Sequence, residues 1–125
     1  SFKGKENLTY KMLDEQLLSA KDYPVDDKVT ITENMFEKNA WFFVNNQLWA
    51  ATLSDEKGEF LEVSFTGFPA AGFWNVVGSP YICIEPWFGG DDMPGTDDDF
   101  NHRFCIQHLA PGNTFEMSYY INILD

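Results

Sequence analysis

At 125 residues the chain is long enough for one domain with a core and too short for two. Hydrophobic residues at 44% exclude disorder by composition, and a formal net charge of −12, from 20 acids against 8 bases, argues against nucleic acid as a partner. The lysines are scattered and Arg103 is the only arginine, so no basic patch exists for a polyanion or an anionic membrane surface.

In chain order, the first 28 residues carry weak patterns. Leu8 to Leu13 and Gln16-Leu17-Leu18 read as short strands around a turn at Asp14-Glu15, and the stretch from Asp22 to Asp27, with Pro24, reads as a loop. Thr32 before Glu33-Asn34-Met35-Phe36 suits an N-cap and one helical turn. From Trp41 the β signal strengthens. Trp41 to Val44 is a short apolar strand, Asn45-Asn46 is a two-residue turn, and Leu48 to Leu53 is the returning strand. After the turn Asp55-Glu56-Lys57-Gly58, Leu61, Val63 and Phe65 alternate with polar residues at period two.

Gly67 to Gly72 reads as a loop, Phe73 to Val77 as a strand, and Tyr81 to Glu85 as the next strand, ended or bent by Pro86. Gly89 to Asp99 is a long polar loop, and Pro111-Gly112 centres a turn. The last segment alternates most cleanly, with Phe115, Met117, Tyr119, Ile121 and Ile123 on one face. Six to eight short strands with almost no helix predict an all-β antiparallel β-sandwich or barrel.

No apolar run approaches the roughly 18 residues of a membrane span. The start, Ser1-Phe2-Lys3-Gly4-Lys5, shows no signal-peptide pattern and fits a fragment and a processed product equally. Cys83 and Cys105 read as free thiols of a reducing compartment, which points to the cytoplasm.

Glu85 is the leading chemical candidate. Alternation places Tyr81, Cys83 and Glu85 on one face of a strand and Ile82 and Ile84 on the other, and a carboxylate on so apolar a strand needs partners. The plainer alternative is a rim carboxylate in a surface ion pair. Trp74, Trp87 and Phe88 offer ring faces on which the C–H face of a sugar can pack, although any one of them could equally fill the core. The acidic run from Asp91 to Asp99 does not match the spacing of an EF-hand loop, and a solvated loop is the simpler reading, so no metal is assigned. His102-x-x-Cys105-x-x-His108 lacks a second pair of zinc ligands, and no Gly-x-Ser-x-Gly elbow or phosphate-cradling loop occurs.

The run Pro80-Tyr81-Ile82-Cys83-Ile84-Glu85-Pro86-Trp87-Phe88-Gly89 resembles the aldose 1-epimerase (galactose mutarotase-like) family, most closely its LacX-type branch. Phe68 to Trp74, Leu109 to Phe115 and Met35 to Ala40 are similar to family segments in the same order, and the resemblance extends from about Leu17 to Leu124. It implies that residues 1–125 are the C-terminal part of a galactose mutarotase-like supersandwich domain. It also implies a cofactor-free interconversion of α and β anomers of a monosaccharide such as galactose or glucose.

Glu85 is implied as the general base, with Asp92, Trp87, Trp74 and Asn39 as substrate-binding residues. The family is longer, and its catalytic histidines and sugar-binding arginine lie in an N-terminal half with no counterpart here. Their roles do not pass to His102 or His108, and Asn39 stands where the family often has Asp. The resemblance therefore implies an inactive part that associates with itself or with its missing half. The alternative function is a carbohydrate-binding or sugar-sensing module without catalysis.

Overall fold

Short turns and side-chain alternation divide the described residues into ten strands in two sheets. The structure is a computed structural model that describes residues 1–14 and 17–125, without the side chain of Asp14. The expected turn at Asp14-Glu15 and the start of the strand at Gln16 therefore lie in part outside the described residues. The strands are β1 (Phe2–Gly4), β2 (Thr9–Asp14), β3 (Leu17–Leu18), β4 (Tyr23–Pro24), β5 (Ala40–Phe43), β6 (Leu48–Asp55), β7 (Gly58–Ser64), β8 (Ala70–Trp74), β9 (Cys83–Trp87) and β10 (Tyr120–Ile123). One sheet has the order β1-β6-β7-β10, the other β3-β2-β5-β8-β9 with β4 also on β2, and every strand pair is antiparallel. The antiparallel β-sandwich expected from the sequence is the architecture observed. Among the described residues, no helix is long and apolar enough to cross a membrane.

The main core lies between the sheets. Phe43 of β5 and Ala71 and Phe73 of β8 meet Leu48 and Ala51 of β6 and Val63 of β7, with Ile82 and Ile84 packed alongside. Because successive strand residues face opposite ways, Phe42, Gly72 and Glu85 stand in register on the other face of the same sheet. A second cluster forms there from Leu18, Phe42, Val44 and Ala70, joined by Leu13, Trp87, Met93 and Phe104. The six-stranded sheet is thus packed on both faces, and the loop after β9 covers part of the outer one.

Several elements differ from the sequence reading. Asn45 and Asn46 do adopt positive φ, 62° and 54°, but the strands they join do not pair. The turn carries the chain from one sheet to the other. Gln47 fixes this crossing: its amide accepts from Thr9 N–H at 2.9 Å and donates to Thr9 C=O at 3.0 Å and Val44 C=O at 2.8 Å. The strand read as Phe73 to Val77 begins three residues earlier, so Gly72 is a strand residue, not loop. Pro86 lies inside β9, paired with Ala71; β9 is an edge strand, where a missing N–H is tolerated. Pro24 is likewise in an edge strand and not a loop. At 33–36 the chain forms turns without a helix, with Met35 N–H bonded to Thr32 C=O at 3.3 Å.

The C-terminal segment departs most. Strand pairing begins only at Tyr120; before it, Phe115 packs edge-on against Phe88 with ring centroids 5.1 Å apart. Register places Ile121 beside Val63 and Ile123 beside Leu61, on the core-facing side of the sheet. Yet these isoleucines are 62% and 77% exposed, because no strand of the other sheet lies opposite them among the described residues. The alternation is legible, and the face it marks is uncovered among the described residues.

Phe43 is 1% exposed and its ring centroid lies 4.9 Å from that of Phe2 and 5.6 Å from that of Phe73. Phe43→Ala is expected to lower unfolding stability by about 3–5 kcal/mol, read from the urea midpoint.

Candidate functional site

Glu85 stands in the middle of β9, opposite Gly72 of β8. Parity puts it on the outer face with Cys83 and Trp87, while Ile84 turns into the core. The carboxylate is half-buried and is held from its own strand: Trp87 Nε1 donates to Glu85 Oε2 at 3.2 Å. Burial pushes the Cys83 thiol up, and the Glu85 charge beside it adds to the effect. The same surroundings disfavour the thiolate, which is the reactive form of a cysteine.

The carboxylate opens on a cleft of about 360 Å³, a size within the roughly 300–1,000 Å³ range of small-ligand sites. Leu13, Phe36 and Ala40 form apolar wall, and Glu37, Lys38, Asn39, Trp74 and Glu85 supply the polar and aromatic lining. Three of the residues singled out from sequence, Glu85, Trp74 and Asn39, are thus brought together from β9, β8 and the segment entering β5. Trp74 is 38% exposed, so part of its ring is accessible. Trp87 touches Glu85 but lies deeper, edge-on to Phe42 at 5.8 Å.

Asp92 does not line this cleft. It sits on the loop that covers the Trp87 end of the face, where its backbone bridges Leu17 and accepts from Leu18 N–H at 2.9 Å. Its carboxylate lies 3.2 Å from Arg103 Nη1, yet neither that oxygen nor the buried Arg103 Nε has a well-aligned hydrogen-bond partner among the described residues. His102 is elsewhere, 2.9 Å from Asp97 Oδ2, and this contact holds the exposed Asp97 carboxyl below its usual value. His108 lines a separate hollow with Phe100 and Ile106. Among the described residues, no group of three or more His, Cys, Asp or Glu side chains is placed to hold a metal ion.

Sequence reasoning missed Glu37, Lys38 and Gly72 as parts of the site. Glu37 and Lys38 directly precede Asn39, so adjacency is the available signal. Gly72 was hidden by its assignment to a loop. Larger hollows exist, one of about 1230 Å³ beside Phe2 to Thr9 and one of about 560 Å³ between the sheets. The first is lined by mixed surface charge and the second is mostly apolar; neither combines a tethered carboxylate with an exposed indole and a side-chain amide.

No known protein family's sequence profile matches the chain, and no curated protein matches it. Among solved structures it is similar to a galactose mutarotase related enzyme from Lactobacillus acidophilus, with a TM-score of 0.81 and 23% identity over 99% of this chain. The match spans 44% of that enzyme's chain, so this chain covers less than half of its length. The fold is therefore galactose mutarotase-like.

The charge of Glu85 has a chemical reporter in Cys83. Alkylation by iodoacetamide at about pH 8 should run slower at Cys83 than at an unstructured cysteine, because the thiolate fraction is small. Glu85→Gln removes one of the causes and should speed it, as followed by peptide mass spectrometry.

Proposed function

We propose that this chain is the carboxylate-bearing part of an aldose 1-epimerase, acting in the cytoplasm on an unphosphorylated monosaccharide such as galactose or glucose. The observation that carries the reading is the tethered carboxylate of Glu85 facing one cleft together with Trp74 and Asn39. Glu85 takes the proton of the anomeric hydroxyl as the bond between the anomeric carbon and the ring oxygen breaks. An acid delivers a proton to that ring oxygen, the aldehyde rotates, and the reverse steps close the other anomer. Trp74 offers its face to the C–H side of the sugar ring, and Asn39 bonds a hydroxyl. Asp92, beside Arg103 on the loop that covers the Trp87 end of the face, does not reach this cleft and is assigned no contact with the sugar.

No histidine lines the cleft among the described residues, and we assign the acid to polypeptide outside this chain. The uncovered inner face of β10 is where additional polypeptide would pack, and an open edge beside exposed isoleucines favours association. We assign that place to a β-rich N-terminal half, as the length of the solved structure allows. The same absence of histidine favours a second reading, a sugar-binding module without catalysis.

Polarimetry of freshly dissolved α-galactose and α-glucose separates the two, using the chain joined to the polypeptide that completes it. Glu85→Gln should slow anomerisation by about 10²–10⁴-fold with sugar binding retained in calorimetry. Binding without any rate enhancement in the unsubstituted protein leaves the module reading. For the chain alone, light scattering should give a mass above its 14.4 kDa, and a monodisperse folded monomer would remove the association reading.

A further inference from the structure

Trp87 has two available roles on this face: platform for a sugar ring or anchor for the carboxylate. Its surroundings distinguish them. The indole is half-buried, its ring centroid is 5.8 Å from that of Phe42, and the two rings stand at 74°. Beneath it lies Gly72, where a Cβ would come within 3.4 Å of Trp87 Nε1 and 3.3 Å of Phe42 Cδ2. The backbone of Gly72 has no positive φ, so glycine serves here as space and not as a conformational hinge. That space seats the indole nitrogen over β8, next to the residue paired with Gly72, which is Glu85.

We infer that Trp87, seated on Gly72 and Phe42, is a positioning residue that anchors Glu85 Oε2 through its indole N–H and leaves Oε1 to meet the ligand. A carboxylate on a free side chain spreads over several rotamers; one donor from a packed ring fixes its direction. A hydrogen bond to a charged acceptor is strong enough to do this. The spacing follows from the strand itself, because residues two apart share a face and Pro86 between them turns the other way. The inference rests on the reading of Glu85 as the base for its catalytic consequence, but not for the contact.

The test has one arm for each. In ¹⁵N-indole spectra of the protein, the Trp87 N–H should exchange with solvent about tenfold more slowly than those of Trp49 and Trp74, which are 44% and 38% exposed. Glu85→Leu should abolish most of that protection and leave the Trp49 and Trp74 signals in place. Unchanged Trp87 exchange in Glu85→Leu would overturn the anchor.

In the completed enzyme, Trp87→Phe, which keeps a ring over Gly72, should lower kcat by about tenfold with KM within about twofold. A rise in KM at constant kcat would instead make Trp87 a sugar platform and overturn the inference. If Glu85→Gln leaves the rate unchanged, the assignment of the base fails, and the indole exchange still decides whether Trp87 anchors the carboxylate.

Discussion

Two neighbouring residues of a strand cannot face the same side, and in β9 this constraint divides the work of the protein. Ile84 joins the main core, while Glu85 is delivered to the outer face between Cys83 and Trp87. A shift of pairing by one residue would bury the carboxylate and expose the isoleucine, so packing of the core also holds the site in register. The chemistry of the cleft is in this sense a by-product of how well Phe73, Ala71 and Ile84 fit their partners.

Pairing across the sheet adds the second requirement. A carboxylate and an indole on one strand face need a neighbour that leaves them room, and Gly72 supplies it. Phe42 then closes the row from β5, and Met93 and Phe104 cover it from the loop. Asn39, just ahead of β5, and Trp74, at the end of β8, open the other side toward solvent. The cleft is therefore built from strand ends and one entering segment, with a stiff floor and a polar rim.

Much of this could be read from the residues. The alternation around Glu85 and the turn between Asp55 and Gly58 depend on local side-chain order, which the sequence displays directly. What could not be read depends on contacts distant in the chain. Gly67 to Gly72 looks like a loop because glycine and proline are frequent in loops, and only pairing with Phe42 and Glu85 reveals Gly72 as floor. Asn45-Asn46 signals a hairpin through its backbone preference, but Gln47 and the two cores direct β6 into the other sheet. Phe115 to Ile123 has a strand's pattern throughout, yet pairing is supplied only to its last four residues. The similarity to a solved structure extends to the fold alone, and the roles of individual side chains rest on their geometry.

Phe36 belongs to two compartments at once. Its ring, edge-on to Trp41 at 5.5 Å, borders both the cleft of Glu85 and the hollow between the sheets. One aromatic side chain is thus shared between the wall of the cleft and the wall of the hollow behind it. Trimming that ring would widen both hollows at once, so the shape of the cleft and the packing between the sheets are set by the same side chain.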